Sequence, residues 1–336
     1  MEASTLALVW AGVIAFSILA YVILDGFDLG VGILFGTTRD KEMRHRMIGS
    51  IAPVWDGNET WLVVVGASLF AAFPAVYAVF LGAFYLPVLL MLIGLIFRGI
   101  AFEFREQGDE PGGLWDVGFF LGSVVVAFVQ GAAVGALMRG LPVTDGQFSG
   151  TSLTWLHPFP VLTGVGLVIG YALLGAGWLR IKCPGALRIW ATERIRWLGI
   201  ALFVVLGAAT VAAMTVDFSD GLRDTAARFN ALHAVLLLIA VGALAGAIYS
   251  TRALRTWLPF ALTALLFLAA FATLGTMMWP YMIPYQLTVA EAAAPEASLK
   301  FLVWAGVIAL PLILAYTIAV YWIFARDTET SYHSGD

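Results

Sequence analysis

The chain has 336 residues, 61% of them hydrophobic and only 12% charged, where a soluble domain has about 25% charged residues. With a mean hydropathy of +0.92, a soluble globular fold is excluded and a polytopic membrane protein is expected. The net charge of −4 gives no sign of a nucleic-acid partner, and the single cysteine, Cys183, excludes an internal disulfide or a cysteine-cluster metal site.

Apolar runs of roughly 20 residues mark spanning helices. They predict nine, at 6–34, 57–76, 79–102, 115–138, 160–180, 197–215, 231–249, 257–279 and 300–325. The expected fold class is all-α: a single integral-membrane domain over 1–336, with one four-helix bundle in 1–140, a second in 155–280 and an extra helix at 298–326. The first run is too long for a signal-peptide core and lacks a basic leader, so it is read as retained. Glu59 and the Phe73-Pro74 pair trim the apolar length of the second.

The first run closes on Leu24 to Gly32, LDGFDLGVG. Asp25 and Asp28 are three residues apart and share one helix face. Gly26 and Gly30 have the small-xxx-small spacing that lets another helix come close. An acid at the centre of a membrane helix costs about 2.5–3.5 kcal/mol, so two of them need a partner, a proton or water.

Basic residues are divided unevenly between the two sides. The first, third, fifth and seventh connections, with the helix ends that flank them and the C-terminal tail, carry 14 of the 18 Lys and Arg. The other side carries Arg139, Arg223, Arg228 and Lys300. The positive-inside rule then puts the N-terminus outside and the C-terminus in the cytoplasm.

That orientation gathers acids at one depth. Asp25 and Asp28 lie toward the cytoplasmic half of the first helix. The second enters from the cytoplasm through Trp55-Asp56-Gly57-Asn58-Glu59, where Asp56 or Asn58 is placed to cap it. The third ends in Ile96 to Arg105, bringing Arg98 and Glu103 to the same level. Asp25, Asp28, Asp56, Glu59, Arg98 and Glu103 are expected to form one polar layer. Either it conducts protons or ions, or it is a structural cluster that pairs Asp25 and Asp28 with Arg98.

A short internal echo relates Ala20-Tyr21-Val22-Ile23-Leu24 to Gly170-Tyr171-Ala172-Leu173-Leu174. The second copy has Gly175 and Trp178 where the first has Asp25 and Asp28, so the chemistry is expected in the first half. His45, His157, His233 and His333 all lie outside mid-helix apolar positions, with His233 the marginal case. A buried haem usually finds its axial ligand at such positions, so no directly bound cofactor and no metal are expected. Met277, Met278 and Met282 read as packing.

These residues resemble subunit II of the cytochrome bd-type quinol oxidases. The resemblance rests on LDGFDLGVG, on Ser50 to Leu62 (SIAPVWDGNETWL) and on Phe97 to Arg105 (FRGIAFEFR), with His157-Pro158-Phe159 similar to the family's Asn-Pro-Phe. It implies a subunit of a quinol:oxygen oxidoreductase in the bacterial cytoplasmic membrane. Its partner would be a haem-bearing subunit I holding two b-type haems and haem d. Small single-helix subunits and a structural quinone are further components such a complex accommodates. The chain itself would have no catalytic residue. By resemblance Asp25 and Asp56 fall on the proton route; the shared depth read from the helices adds Asp28, Glu59 and Glu103 as further members and Arg98 as charge partner. Trp61 falls on an oxygen entrance. Val54 departs from the family, since some members have histidine there, which leaves this route one titrating group fewer. The alternatives are a proton- or sodium-coupled carrier using Asp25 and Asp56, and a scaffold without a proton role.

Overall fold

Hydrophobic length accounts for most of the helices in the computed structural model, which describes residues 3–104, 113–215 and 230–324. Ser4 accepts the Ala7 N–H (3.2 Å) and starts α1, Thr5–Phe35. A short amphipathic helix absent from the sequence expectations follows, α2, Lys41–Ile51, capped by Asp40. Its Met47, Ile48 and Ile51 are buried. Then come α3, Trp55–Ala72, and α4, Pro74–Phe104. Pro87 lies inside α4, where it removes one backbone donor and crowds the preceding turn, and Phe84 leaves helical geometry (φ −114°, ψ 24°).

After α5, Leu114–Arg139, a hairpin pairs β1, Val143–Thr144, with β2, Gln147–Phe148. Pro158 starts α6, Pro158–Lys182. Gly185, with φ near +69°, allows the tight entry into α7, Gly185–Thr215. The basic stretch read as a connection is therefore the first three turns of α7. Asn230 caps α8, Ala231–Tyr249, and a 3₁₀ turn, Ser250–Arg252, leads to α9, Leu258–Met278. A second hairpin, β3 (Tyr281–Ile283) with β4 (Leu287–Thr288), runs into α10, Val289–Ala292. There, hydrogen bonds from the Thr288 backbone and hydroxyl hold the exposed Glu291 carboxyl below its usual range. The last helix is α11, Glu296–Ile323.

Eight of the described helices, α1, α4 to α9 and α11, are long and apolar enough to cross a membrane. The protein is thus an all-α polytopic membrane protein. The second expected span corresponds to α3. Its first turns carry Asp56, Asn58 and Glu59, and it falls short of the others in apolar length.

The centre of the molecule is the crossing of α1 and α6. A Cβ on Gly30 would collide with the Tyr171 carbonyl, and one on Gly175 with the backbone of Gly30. The small-residue spacing read in LDGFDLGVG is filled by α6. Phe27 stacks on Trp178 with centroids 4.2 Å apart, and the Trp178 indole donates to the Ser50 carbonyl at 3.1 Å, tying α2 beneath the crossing. On the other flank α5 packs against α4 and α6, with Gly122 opposite the Gly94 carbonyl. By contrast α11 is 11% buried over its apolar window and touches the body mainly through α3 and α1.

Candidate buried acid cluster

Three charged side chains converge where α1, α3 and α4 meet. Asp25 and Asp28 are 0% exposed and Arg98 is 1% exposed. An Arg98 Nη1 to Asp25 Oδ1 separation of 3.6 Å makes an ion pair longer than a hydrogen bond. The guanidinium is also flanked by the Trp55 and Phe119 rings, each centroid 5.9 Å from Cζ. Sequence order explains the placement. The acids come from the glycine-rich half of α1, and the chain N-terminal to Arg98 is uncharged apolar helix that carries it to their depth.

Asp28 has a different partner. Asn58 Nδ2 donates to Asp28 Oδ2 at 2.7 Å and to the Leu24 carbonyl at 3.3 Å. The Tyr321 hydroxyl on α11 donates to Asn58 Oδ1 at 2.9 Å. The amide is thereby oriented, its oxygen engaged by tyrosine and its NH₂ directed at the carboxylate. Asn58 was expected, like Asp56, as a helix cap. Neither caps α3, whose N-cap is Val54 with no side-chain bond. Burial explains the outcome for Asn58, since an amide at 1% exposure must find partners, and the nearest are on α1 and α11.

The remaining expected members are arranged unevenly. Glu59 is half-buried and within electrostatic reach of Asp25, Arg98 and Asp56. Asp56 is exposed in the first turn of α3. Glu103 is exposed in the last turn of α4 and is not drawn into the cluster by any hydrogen bond or ion pair among the described residues. Trp61 is 1% exposed and meets Phe16 edge-on, 5.5 Å between centroids. Arg105 and His333 lie outside the described residues.

Two further polar groups had no signal in the sequence. Tyr171 donates to Gln130 Oε1 (2.9 Å), and Gln130 Nε2 donates to the Tyr21 hydroxyl (2.8 Å), so α6, α5 and α1 are linked one turn from Asp25. Arg44 on α2 binds Asp116 at 2.8 Å and the Thr38 carbonyl at 2.7 Å. Both pairings join residues far apart in the chain, so neither spacing nor periodicity reveals them.

Six buried polar atoms of the cluster have no hydrogen-bond partner among the described residues: both Asp25 oxygens, Asp28 Oδ1 and the three Arg98 nitrogens. An apolar interior does not tolerate such a group of atoms dry. Open valences in that number on two carboxylates and one guanidinium call for water or protonation to complete them.

Residues 6–324 match the family described as cytochrome bd terminal oxidase subunit II. The chain belongs to this family. It is 30% identical to the cytochrome bd-I ubiquinol oxidase subunit 2 of Escherichia coli strain K12, covering 99% of each chain. It is 31% identical to a probable cytochrome oxidase subunit 2 of Haemophilus influenzae, over 94% of this chain and 93% of that one. With the cytochrome bd ubiquinol oxidase subunit 2 of Bacillus subtilis the identity is 28%, over 94% and 95%. Its fold superposes on a chain of the solved bd oxidase from Geobacillus thermodenitrificans with a TM-score of 0.79 at 15% identity, covering 96% and 100%. As a bd oxidase subunit II the chain is part of a respiratory quinol:oxygen oxidoreductase complex. It is a multi-pass inner-membrane protein whose partner is a subunit I. Membership of this family disfavours the carrier reading.

Proposed function

We propose that this subunit delivers protons to the oxidase through the buried cluster, and that it does so without a haem of its own. The observation that carries the reading is the set of six buried polar atoms of Asp25, Asp28 and Arg98 that make no hydrogen bond among the described residues. A merely structural ion pair at this depth is stable when its hydrogen bonds are complete, whereas a relay needs room for water and an acid that takes and releases a proton. Asp56, exposed at the entry of α3, collects protons. Glu59, within electrostatic reach of both Asp56 and Asp25, is the next member, and Asp28 is a further one. Glu103 serves the approach from solvent rather than the cluster. Arg98 is the charge partner that keeps the buried carboxylates from being wholly uncompensated.

In this reading α3 is a ninth crossing, made short by its polar entry. The N-terminus is outside, in line with the 14-to-4 division of basic residues. The units 1–140 and 155–280 form two four-helix bundles meeting at α1 and α6, with 298–326 added. Haem-free status is supported by the described histidines. His45 is on α2, His157 precedes α6, and His233 Nδ1 accepts the Asn230 N–H at 3.2 Å in the cap of α8. The two b-type haems and haem d belong to subunit I, where quinol is oxidised and oxygen reduced. Trp61, buried against Phe16, belongs to an oxygen entrance completed by neighbouring chains rather than to an open mouth in this one. A structural quinone and small single-helix subunits are compatible additions along the exposed apolar helices.

The test replaces Asp25 and Asp56 separately by Asn in the purified complex. Asn keeps size and most hydrogen bonding but removes the titrating proton. Turnover is expected to fall while the haem spectrum stays unchanged, and more for Asp25, which water replaces less easily than the exposed Asp56. Full turnover with normal haem content in both variants would rule the relay out. Loss of haem and activity together would identify a structural cluster instead.

A further inference from the structure

The geometry points to a binding site for the phosphate of an anionic phospholipid, built where α6, α7 and the 3₁₀ turn after α8 meet. Thr251 is its hub. Arg180 Nη1 donates to the Thr251 carbonyl (3.0 Å) and Nη2 to the Ala253 carbonyl (2.8 Å). Arg196 Nε donates to the Thr251 hydroxyl (3.0 Å), and Arg188 Nε donates to the Arg180 carbonyl (3.1 Å). Arg188 and Arg196 are therefore each anchored through Nε, and their terminal nitrogens have no protein partner among the described residues. A guanidinium held by Nε with its terminal N–H groups open is set up to take phosphate oxygens.

The charge here is unbalanced. Arg188 is bonded to the Arg180 carbonyl and Arg196 shares Thr251 with Arg180, Arg252 adjoins the hub, and none of the four forms an ion pair among the described residues. Glu193, the carboxylate on this part of α7, is exposed and forms none either. Arg180 is 5% exposed, and its Nε is a buried donor without a partner. Concentrating like charges this way is unfavourable unless an anion completes the site.

Apolar surroundings select lipid over a free anion. Trp197 is 65% exposed, Leu254 fully so, and Trp257 is exposed at the start of α9. Aromatic and aliphatic side chains beside guanidiniums at the end of spanning helices suit the boundary between headgroup and acyl chain. Free phosphate or a nucleotide has no use for them. The site is on the side of the protein where basic residues concentrate, distant in sequence from the acid cluster and independent of its role.

The experiment uses the intact oxidase complex, stripped of lipid in detergent, and measures binding of phosphatidylglycerol, phosphatidylcholine and inorganic phosphate by native mass spectrometry and thermal shift. The wild-type complex is expected to retain phosphatidylglycerol in preference to the other two. The double variant Arg188→Gln, Arg196→Gln is expected to bind it about fivefold more weakly per guanidinium removed, with an unchanged haem spectrum reporting intact assembly. A second double variant, Arg39→Gln, Lys41→Gln, alters exposed basic residues elsewhere on the same side and should leave retention unchanged. Should the Gln pair disturb assembly, Arg188→Lys with Arg196→Lys keeps the charge, loses the fork and is expected to bind at intermediate strength. Equal retention of phosphatidylcholine, equal loss in the Arg39 and Lys41 variant, or inorganic phosphate binding as tightly as the lipid would each overturn the proposal.

Discussion

At the scale of single residues, Arg98 and Tyr321 each support one of the two acids. Arg98 offsets Asp25 from 3.6 Å, and Tyr321 fixes the amide that binds Asp28. Removing Asp25 leaves a fully buried guanidinium poorly compensated, which costs about 3–5 kcal/mol where a buried pair is broken. That is why assembly has to be measured beside turnover in the Asn variants. Tyr321→Phe is the gentler probe. It deletes one partly buried hydroxyl, worth about 1 kcal/mol, and frees the Asn58 amide to turn while α11 keeps its packing. The expected outcome is a normal haem spectrum with turnover lowered a few-fold, and Asn58→Leu, which strands Asp28, should be more severe. Unchanged turnover in both variants would remove Asp28 and its network from the proton route.

At the scale of elements, the crossing of α1 over α6 has no tolerance for side chains at its closest point. Gly30→Ala places a methyl group on the Tyr171 carbonyl, and overpacking of this kind costs about 1–3 kcal/mol. The two helices must separate, and with them Phe27 from Trp178 and Tyr21 from the Tyr171–Gln130 link. A lower melting temperature and reduced yield of the complex are expected for Gly30→Ala. Gly12→Ala, on the same helix with no atom within 4 Å of the added carbon, should match wild type. Equal melting temperatures for the two variants would show that this crossing does not hold the bundles together. Elsewhere the elements are held by polar groups at their ends. Arg44 ties α2 to Asp116, Trp178 ties α6 to Ser50, and Lys182 reaches the Phe324 carbonyl at the end of α11.

At the scale of the whole molecule, the division of basic residues makes a prediction that no contact in the fold can make. Reporter tags at the N-terminus and after Asp336 should lie on opposite sides of the membrane, outside and cytoplasmic respectively. Both tags on one side would require an even number of crossings. That would leave α3 as a helix that does not span and would separate the acids from the side that supplies protons. The exposed apolar surface fits the same picture. Phe301, Trp304, Val307, Leu312 and Trp322 along α11 are all more than 60% exposed, as expected of a helix facing lipid or a neighbouring subunit rather than its own chain.

Eight of the nine expected spans were legible in the sequence, because crossing a bilayer requires a fixed length of apolar helix and each of these runs met that length on its own. So were the depth of Asp25, Asp28 and Arg98, which follows from counting along helices, and the close approach at Gly26 and Gly30. Tertiary structure alone decided the partners: α6 rather than another helix at Gly30, Arg98 on Asp25, Asn58 on Asp28 instead of at a cap, and Tyr321 reaching it from 263 residues away. It also turned the basic stretch after Cys183 into helix and folded α2 against Trp178. The physical reason is the solvent. Lipid is as apolar as leucine, so hydrophobic pattern does not tell one helix which neighbour to choose. That choice falls to the fit of small residues and the pairing of buried polar groups, and both exist only once the helices are side by side.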